Sequence, residues 1–187
     1  MNKRILSVLA VFLVLAFGCT TTGPSSGDPD TRRRSIDAGV DNALAQLFMQ
    51  VEGSEQLVGR ARGVLVFPSV MEAGFIVGAS RGQGALRIGG KTVSYHATTS
   101  GSFGLQAGAQ STAVFLLFMT DDALTRFQNS SGWTVGADAS VTLISVGATA
   151  QVTTATAQQP VIGYVLSNRG LMAGISLDGA RITRLDL

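Results

Sequence analysis

The sequence predicts an α+β fold that is mainly β: a curved antiparallel or barrel-like sheet with an N-terminal amphipathic helix packed on it. Glycine is abundant, at 23 of 187 residues, and short apolar runs alternate with Gly-rich turns, as in sheets whose backbones pack closely. Apolar residues recur at helical spacing between Ile36 and Val51. Charged residues make up 14 % of the chain, which argues against a disordered, solvated chain.

The chain begins with a targeting segment, residues 1–18. Lys3 and Arg4 precede an apolar core from Ile5 to Phe17. That core is shorter than the ~20 residues that a helix needs to span a bilayer. The pattern therefore predicts a secretory leader and not a membrane-spanning helix.

Cys19 comes directly after this leader. The residues Leu15-Ala-Phe-Gly-Cys19 resemble the lipobox of bacterial lipoproteins, with Ala16 where Leu is usual and Phe17 where a small residue is common. The resemblance implies that Cys19 becomes the acylated first residue of the mature chain. Cys19 is the only cysteine, so it has no internal disulfide partner. The alternative is an ordinary secretory signal followed by a chance cysteine.

Residues 19–34 are predicted to form a flexible tether. Thr20 to Asp30 show no apolar periodicity, and three positive charges in Arg32–Arg34 would oppose the dipole of a helix that began there. The first helix is therefore expected to begin with Ser35 as its cap, and the domain to span residues 35–187. The arginine run is either a contact for anionic head groups or a solvated charge run.

The first helix is predicted to cover the sheet. Its apolar positions recur every three or four residues, and its polar face between Ser35 and Val51 has no Lys or Arg, unlike helices that lie on membranes. A second short helix is expected from Ser54 to Arg60. These apolar positions are Ile36, Val40, Ala43, Leu44, Leu47, Phe48 and Val51.

Glycine and proline residues mark the ends of the first predicted strands. A strand from Gly63 to Phe67 is expected to stop at Pro68, and a second strand holds Phe75 and Val77. Gly89-Gly90 predicts a tight hairpin between the strands Gly84–Ile88 and Lys91–Tyr95. A two-residue turn would pair Ile88 with Lys91, Leu86 with Val93 and Gly84 with Tyr95. That register places His96 on the polar face, as a plain surface residue.

The second half of the chain continues this pattern. Alternation from Phe103 to Ala109 predicts one strand, the apolar run Val114–Met119 a strand buried on both sides, and Asp121-Asp122 the first turn of a short helix. Asn129 and Gly132 would close that helix. Further strands are expected over Val135–Leu143, Val161–Leu166, Leu171–Leu177 and Arg181–Leu185, with a loop over Gly147–Gln159.

Several motifs in the same order resemble the SYLF domain family. They are Ala61-Arg-Gly-Val-Leu-Val-Phe-Pro68, Gly101-Ser-Phe-Gly-Leu-Gln-Ala-Gly-Ala-Gln110, Met119-Thr-Asp-Asp-Ala-Leu124, Asn129-Ser-Ser-Gly-Trp133-Thr-Val-Gly136, Pro160-Val-Ile-Gly163 and Asn168-Arg-Gly-Leu-Met172. The resemblance spans roughly residues 36–187 and implies a lipid-binding module. Eukaryotic relatives bind phosphoinositides and some act on actin, which is not available as a partner in a bacterial envelope.

The residue types for common enzyme chemistry are missing. His96 is the single histidine, Ser100-Gly-Ser-Phe-Gly104 is not the Gly-x-Ser-x-Gly of a hydrolase, and the lone Cys19 with one histidine cannot make a usual zinc site. The sequence therefore predicts no enzyme, no metal and no cofactor. Of 14 basic and 12 acidic residues, Lys3 and Arg4 leave with the leader, so no basic field for nucleic acid remains.

The candidate binding residues are three cations that are close in sequence. Arg81, Arg87 and Lys91 could present a positive patch to an anionic, phosphoinositide-like head group. The alternative is that they are ordinary solvated charges of a hairpin. Trp133 and Phe103 are interpreted as core residues, since each lies in an alternating strand pattern.

Two functions fit the sequence. The first is a membrane-tethered lipid-binding module of the bacterial cell envelope, anchored at Cys19. The second is an interaction lipoprotein whose domain binds an envelope protein or the cell wall and uses the lipid only as an anchor. Thr20, where an Asp often retains lipoproteins in the inner membrane, favours the periplasmic side of the outer membrane.

Overall fold

The computed structural model describes residues 28–74, 77–103, 108–144, 158–167, 170–171 and 176–187. These residues form an α+β fold, mostly strands, in which the sheet curls into a half-barrel and an N-terminal helix packs against it. The fold class predicted from the sequence is therefore confirmed. The leader, Cys19 and the tether up to residue 27 lie outside the described residues.

Helix α1 spans Pro29–Gln50, so it begins earlier than the predicted Ser35. Asp28 is the cap residue, Pro29 occupies the first turn and Asp30 adds a negative charge there. Proline fixes the backbone angle that a first turn needs, and the carboxylate of Asp30 accepts a hydrogen bond from Arg33 at 2.8 Å. These two features offset the cost of placing Arg32–Arg34 inside the helix.

Two shorter helices agree with the prediction. Helix α2 spans Ser54–Arg60 and follows Gly53, whose positive φ of 77° makes the sharp entry. Helix α3 spans Asp121–Asn129, and the Thr120 side chain accepts a hydrogen bond from the Ala123 amide at 3.2 Å as its cap. The paired aspartates begin α3 as expected.

Among the described residues, the sheet has nine strands in the order β5-β9-β3-β2-β1-β4-β7-β6, with β8 paired to β7. All of these pairs are antiparallel except β6–β7. The strands are β1 Gly63–Gly74, β2 Val77–Ile88, β3 Lys91–Phe103, β4 Gly108–Phe118, β5 Trp133–Thr134, β6 Thr142–Ile144, β7 Val161–Ser167, β8 Gly170–Leu171 and β9 Arg181–Leu185.

Proline does not end the first strand. β1 continues through Pro68 to Gly74, and its register with β2 and β4 shifts around Pro68, between Val66 and Val70. A bulge leaves one residue out of the ladder, so it accommodates a proline, which has no N–H to donate. The next strand begins at Val77, while Phe75 lies outside the described residues.

Other predicted strands are interrupted. The expected strand over Phe103–Ala109 is divided, because β3 ends at Phe103 and β4 begins at Gly108, with residues 104–107 outside the described part. The continuous strand over Val135–Leu143 is wrong. Gly136 has a φ of 87°, and the Asp138 carboxylate accepts a hydrogen bond from the Thr134 amide at 2.6 Å, so the chain turns there.

The remaining strand predictions have mixed outcomes. β4 is buried from Ala113 to Phe118, β7 covers the expected segment, and β9 has the predicted bounds. Of the expected strand Leu171–Leu177, only Leu171 is described as strand, as part of β8. Residues 172–175 lie outside the described part, and Ser176 and Leu177 are not in a strand. Most of the Gly147–Gln159 loop also lies outside it.

The β2–β3 hairpin turns at Gly89-Gly90 as predicted, but its register is different. Ile88 faces Lys91, whereas Leu86 faces Ser94 and Gly84 faces His96, because the register shifts between Leu86 and Arg87. The extra residue in β3 moves every later side chain of that strand to the opposite face.

The described residues form two hydrophobic cores on opposite faces of the sheet. The first contains the buried face of α1 and alternate residues of β1, β4 and β7; α3, Trp133 and Ile182 help to form the second. Val64, Phe115 and Tyr164 belong to the first core, and Leu65, Val114 and Val165 to the second. Because both faces of the sheet are covered, the sequences of β4 and β7 contain nearly continuous apolar runs.

Candidate functional site

An open groove of about 680 Å³ separates α1 from the bulge of β1 and the facing part of β2. Arg81 of β2 is exposed and lines it, together with Met71 and Gln83. The groove therefore combines one cation, several neutral polar groups and apolar side chains. Its lining residues, none of them acidic, are Ser35, Ile36, Gly39, Asn42, Ala43, Gln46, Pro68, Ser69, Met71, Arg81, Gly82 and Gln83.

The helical period explains how α1 forms one wall of this groove. At about 100° per residue, Ser35, Gly39, Asn42 and Gln46 lie on one side of the helix. Val40 and its apolar neighbours point down to the first core. Gly39 permits close approach to the bulge, since a Cβ there would lie 3.0 Å from Cγ of Pro68.

The opposite side of α1 is fixed to the hairpin by a polar network centred on Asp37. Its carboxylate accepts hydrogen bonds from Thr92 and from the Tyr95 hydroxyl, each at 2.8 Å. Arg87 forms an ion pair with Asp41 and donates to the Asp37 carbonyl at 3.3 Å. Burial, then the hydrogen bond and negative charge of Asp37, raise the pKa of Tyr95. We call these five residues the Asp37 network.

The structure does not bring the three predicted binding cations together. Arg87 belongs to the Asp37 network and its side chain is only 15 % exposed, so its charge is already neutralised. Lys91 is exposed beside the hairpin turn. Arg81 lies six positions before Arg87 on β2, roughly 20 Å away at about 3.3 Å per residue. Of the three, only Arg81 lines the groove.

Arg32 is a second cation on the groove side that sequence reasoning did not separate from its neighbours. Arg33 binds Asp30, and Arg34 donates to the Thr31 hydroxyl at 3.2 Å. Within the described residues, neither the Arg32 nor the Arg81 side chain has a hydrogen bond or ion pair. Arg32 lies one helical turn before Ser35 and Ile36, so the helical period could have placed it there.

His96 is buried in the second core and is not the surface residue that the predicted register implied. It is 6 % exposed, its Nε2 lies 2.8 Å from the Ser94 hydroxyl, and its ring packs against Phe127 at 5.0 Å between centroids. Burial and the positive charge of Arg184 lower the pKa of His96 to about 4. Trp133 is buried in the same aromatic cluster, as expected, whereas the side chain of Phe103 lies outside the described part.

The described ranges contain no group of three or more metal-ligating side chains. No helix among the described residues is long and apolar enough to cross a membrane. A smaller cavity of about 50 Å³ lies in the second core beside the Ser80 and Ser100 hydroxyls, which lie 2.6 Å apart. It is too small for more than a few waters, so the groove is the better candidate site.

The comparison with protein families agrees with the motifs of the second half. Residues 99–186 match the model of the Ysc84 (SYLF) family, described as a Las17-binding protein actin regulator. The chain is therefore similar to the SYLF family over residues 99–186. No curated protein matches the chain.

The family match covers just under half of the chain and begins within β3. The matched region therefore contains the end of β3, the strands β4 to β9 and α3. The groove is built from α1, β1 and β2, which precede the matched residues. Both parts nevertheless share one sheet, because β1 pairs with β4 and β2 pairs with β3.

Proposed function

We propose that the protein is a non-enzymatic lipid-binding module, held at a membrane of the bacterial cell envelope by an acylated Cys19. The groove beside α1 would take the head group of an anionic lipid, of the phosphoinositide-like class. The outer membrane, on its periplasmic side, is the favoured location because Thr20 follows the anchor residue. The SYLF family assignment of residues 99–186 supports a lipid-binding or actin-regulator-related domain.

The unpaired Arg81 in the groove is the observation that carries this proposal. A guanidinium offers several N–H donors in a planar fork that matches the oxygens of a phosphate group. Arg81 has no ion-pair partner among the described residues, and none of the groove's lining residues is acidic. Arg32 supplies a second positive charge on the same side of α1. An anionic head group would therefore meet attraction without competition from a carboxylate.

The leader supports a tethered location. Cys19 precedes the described residues by a segment of small and polar residues, Thr20 to Gly27. A flexible chain of about nine residues has a root-mean-square length of roughly 15–18 Å. That tether would hold α1 and the groove close to the lipid head groups.

Co-sedimentation with vesicles tests the proposal. A chain of residues 20–187 contains every described helix and strand, and it removes the anchor that would otherwise bind membranes by itself. We expect it to pellet with phosphatidylcholine vesicles containing phosphatidylglycerol or a phosphoinositide, more weakly at high salt, and poorly with phosphatidylcholine alone.

Arg81→Gln should weaken binding to anionic vesicles about five-fold, since one basic residue near such a surface contributes about 1 kcal/mol. Arg60→Gln is the matched control, because Arg60 is exposed at the end of α2, away from the groove. Equal losses in both variants would indicate a diffuse charge effect instead of a groove site. Failure to pellet with any vesicle would sink the proposal and favour a protein or cell-wall partner.

A further inference from the structure

One end of the sheet extends beyond the strands that flank it. Strand β9 stops pairing with β3 at Thr99, and β7 stops pairing with β4 at Ala113. Four strands continue together past these points, and β1 pairs with β4 as far as Gly74 and Gly108. We call this part the projecting end; it comprises residues 71–74, 77–81, 99–103 and 108–112 of β1, β2, β3 and β4. It continues for about four residues, or roughly 13 Å.

The projecting end is almost free of charge. Residues 73–80 and residues 92–120 contain no Asp, Glu, Lys or Arg, so Glu72 and Arg81 are its only charged residues. Strand alternation separates these two. Arg81 shares the groove's face with Met71, whereas Glu72 follows Val70 onto the other face. The face beside the groove therefore carries one cation and no carboxylate among the described residues.

That face is exposed and apolar or small. Met71 is 52 % exposed, and Ala79, Thr99, Gly101 and Ser111 are exposed as well. They form one continuous patch, because Met71 pairs with both Arg81 and Ser111, Arg81 pairs with Thr99, and Ala79 pairs with Gly101. The patch borders the groove through Met71 and Arg81.

We infer that the projecting end is the surface that the domain lays on a lipid bilayer, with Arg81 at the level of the phosphates and Ala79 and Gly101 deeper in the head-group layer. This inference rests on the proposed lipid-binding function and names the surface that performs it. A single cation beside uncharged small side chains suits an interface where phosphates lie above apolar carbon. The segment after Cys19 leads in sequence into α1, which forms one wall of the groove that borders the projecting end.

The unpaired strand edges limit how deeply the projecting end can enter a lipid bilayer. Among the described residues, the outer edges of β3 beyond Thr99 and of β4 before Ala113 have no paired strand. Unpaired backbone N–H and C=O groups are costly in hydrocarbon. The projecting end therefore rests in the hydrated head-group layer and does not cross the bilayer.

A fluorophore at Gly101 tests this placement. A Cβ at Gly101 would meet no atom within 4 Å, so Gly101→Cys in a chain of residues 20–187 provides a single attachment point. Lys91→Cys is the matched control, since it is exposed on the same strand and about 33 Å away along β3. On anionic vesicles, a polarity-sensitive label at position 101 should shift to the blue and be quenched by bromine-bearing lipid. The label at position 91 should do neither.

A charge at the same position gives an independent measurement. Gly101→Glu should weaken binding to anionic vesicles roughly five-fold, whereas the size-matched Gly101→Gln should leave it within two-fold. Circular dichroism checks that both variants fold. Vesicle binding with an unshifted label at position 101, or with equal shifts at both positions, would overturn this inference and leave the proposed function standing. Absence of vesicle binding in the unlabelled chain would overturn both.

Discussion

The two ends of the β2–β3 hairpin use arginine in opposite ways. Near the turn, Arg87 is engaged by Asp41 and by the Asp37 carbonyl, so its charge helps to hold α1 on the sheet. At the projecting end, Arg81 has the same side chain on the same strand and face, yet no described partner. This difference shows that Arg81 and Arg87, although close in sequence, do not form one binding patch. A paired cation stabilises the fold, and an unpaired cation remains available to a ligand.

If the ends differ in this way, substitutions near the turn should change stability and those at the projecting end should not. Two glycines give the largest contrast. A Cβ at Gly84 would lie 2.0 Å from the Val66 carbonyl oxygen, whereas one at Gly101 would meet nothing within 4 Å. We expect Gly84→Ala to lower the free energy of unfolding by about 3 kcal/mol or more, and Gly101→Ala by less than about 0.5 kcal/mol. Urea denaturation measures both, and similar losses would remove the contrast.

The second prediction concerns pH and His96. Its folded pKa of about 4 lies below the ordinary value of 6.5, so the unfolded chain binds a proton first as the pH falls. The contribution of the neutral, buried His96 ring to the free energy of unfolding is complete above pH 6.5. It is lost as the pH falls towards 4. The loss should reach about 2 kcal/mol at pH 5 and about 3 kcal/mol at pH 4.

Urea denaturation at pH 7, 6 and 5 measures this slope before most carboxylates titrate. His96→Gln should be less stable at pH 7, because Gln fills the aromatic cluster poorly, and should lack this part of the slope. An unchanged slope in the variant would assign the pH dependence to other groups. Direct titration of the imidazole by NMR gives the folded pKa independently.

The misplacement of His96 shows where sequence reasoning stops. The Gly89-Gly90 turn, the pairing of Ile88 with Lys91 and the helix at Asp121 were all readable, because local turn chemistry and periodicity determine them. The extra residue at Val93 was not, since no proline or glycine marks it. One unpaired residue exchanges the faces of β3, which moved His96 from the predicted surface into the second core.

The candidate site was predictable in part for the same reason. Arg81 was named from sequence, and strand alternation carries it to the groove's face. Its separation from Arg87 depends on Asp37 and Asp41, which lie on α1 far away in sequence. Asp28-Pro29-Asp30 favours the early helix start, but the prediction rested only on the unfavourable charge of Arg32–Arg34.

The third prediction removes the centre of the Asp37 network. Asp37→Ala leaves the hydroxyls of Thr92 and Tyr95 without their acceptor, so we expect a loss of about 2 kcal/mol in the free energy of unfolding. Asp122→Ala is the control, because that aspartate is 72 % exposed in its ion pair with Arg126; its loss should stay below about 1 kcal/mol. Equal losses would mean that α1 is held by apolar packing alone.

The smallest expected effect comes from removing one oxygen from each of two tyrosines. The Tyr95 hydroxyl donates to Asp37 at 2.8 Å, whereas the Tyr164 hydroxyl is buried in the first core with no hydrogen-bond partner among the described residues. Burial raises the pKa of Tyr164 to about 12, so the group keeps its proton at neutral pH without an acceptor for it. Tyr95→Phe should therefore cost about 1 kcal/mol, and Tyr164→Phe should be neutral or stabilising.

Each variant loses one hydroxyl group. Comparing their thermal and urea unfolding therefore measures how much the hydrogen bond from Tyr95 to Asp37 contributes to the free energy of unfolding. A cost at Tyr95 alone would show that the Asp37 network contributes through its hydrogen bonds and not only through the packing of the ring. Equal costs would show that burial of the hydroxyl does not separate the two sites. Because Tyr95 contacts the side of α1 opposite the groove, vesicle binding by folded Tyr95→Phe should stay unchanged. That result would separate the stabilising Asp37 network from the surface that we assign to lipid.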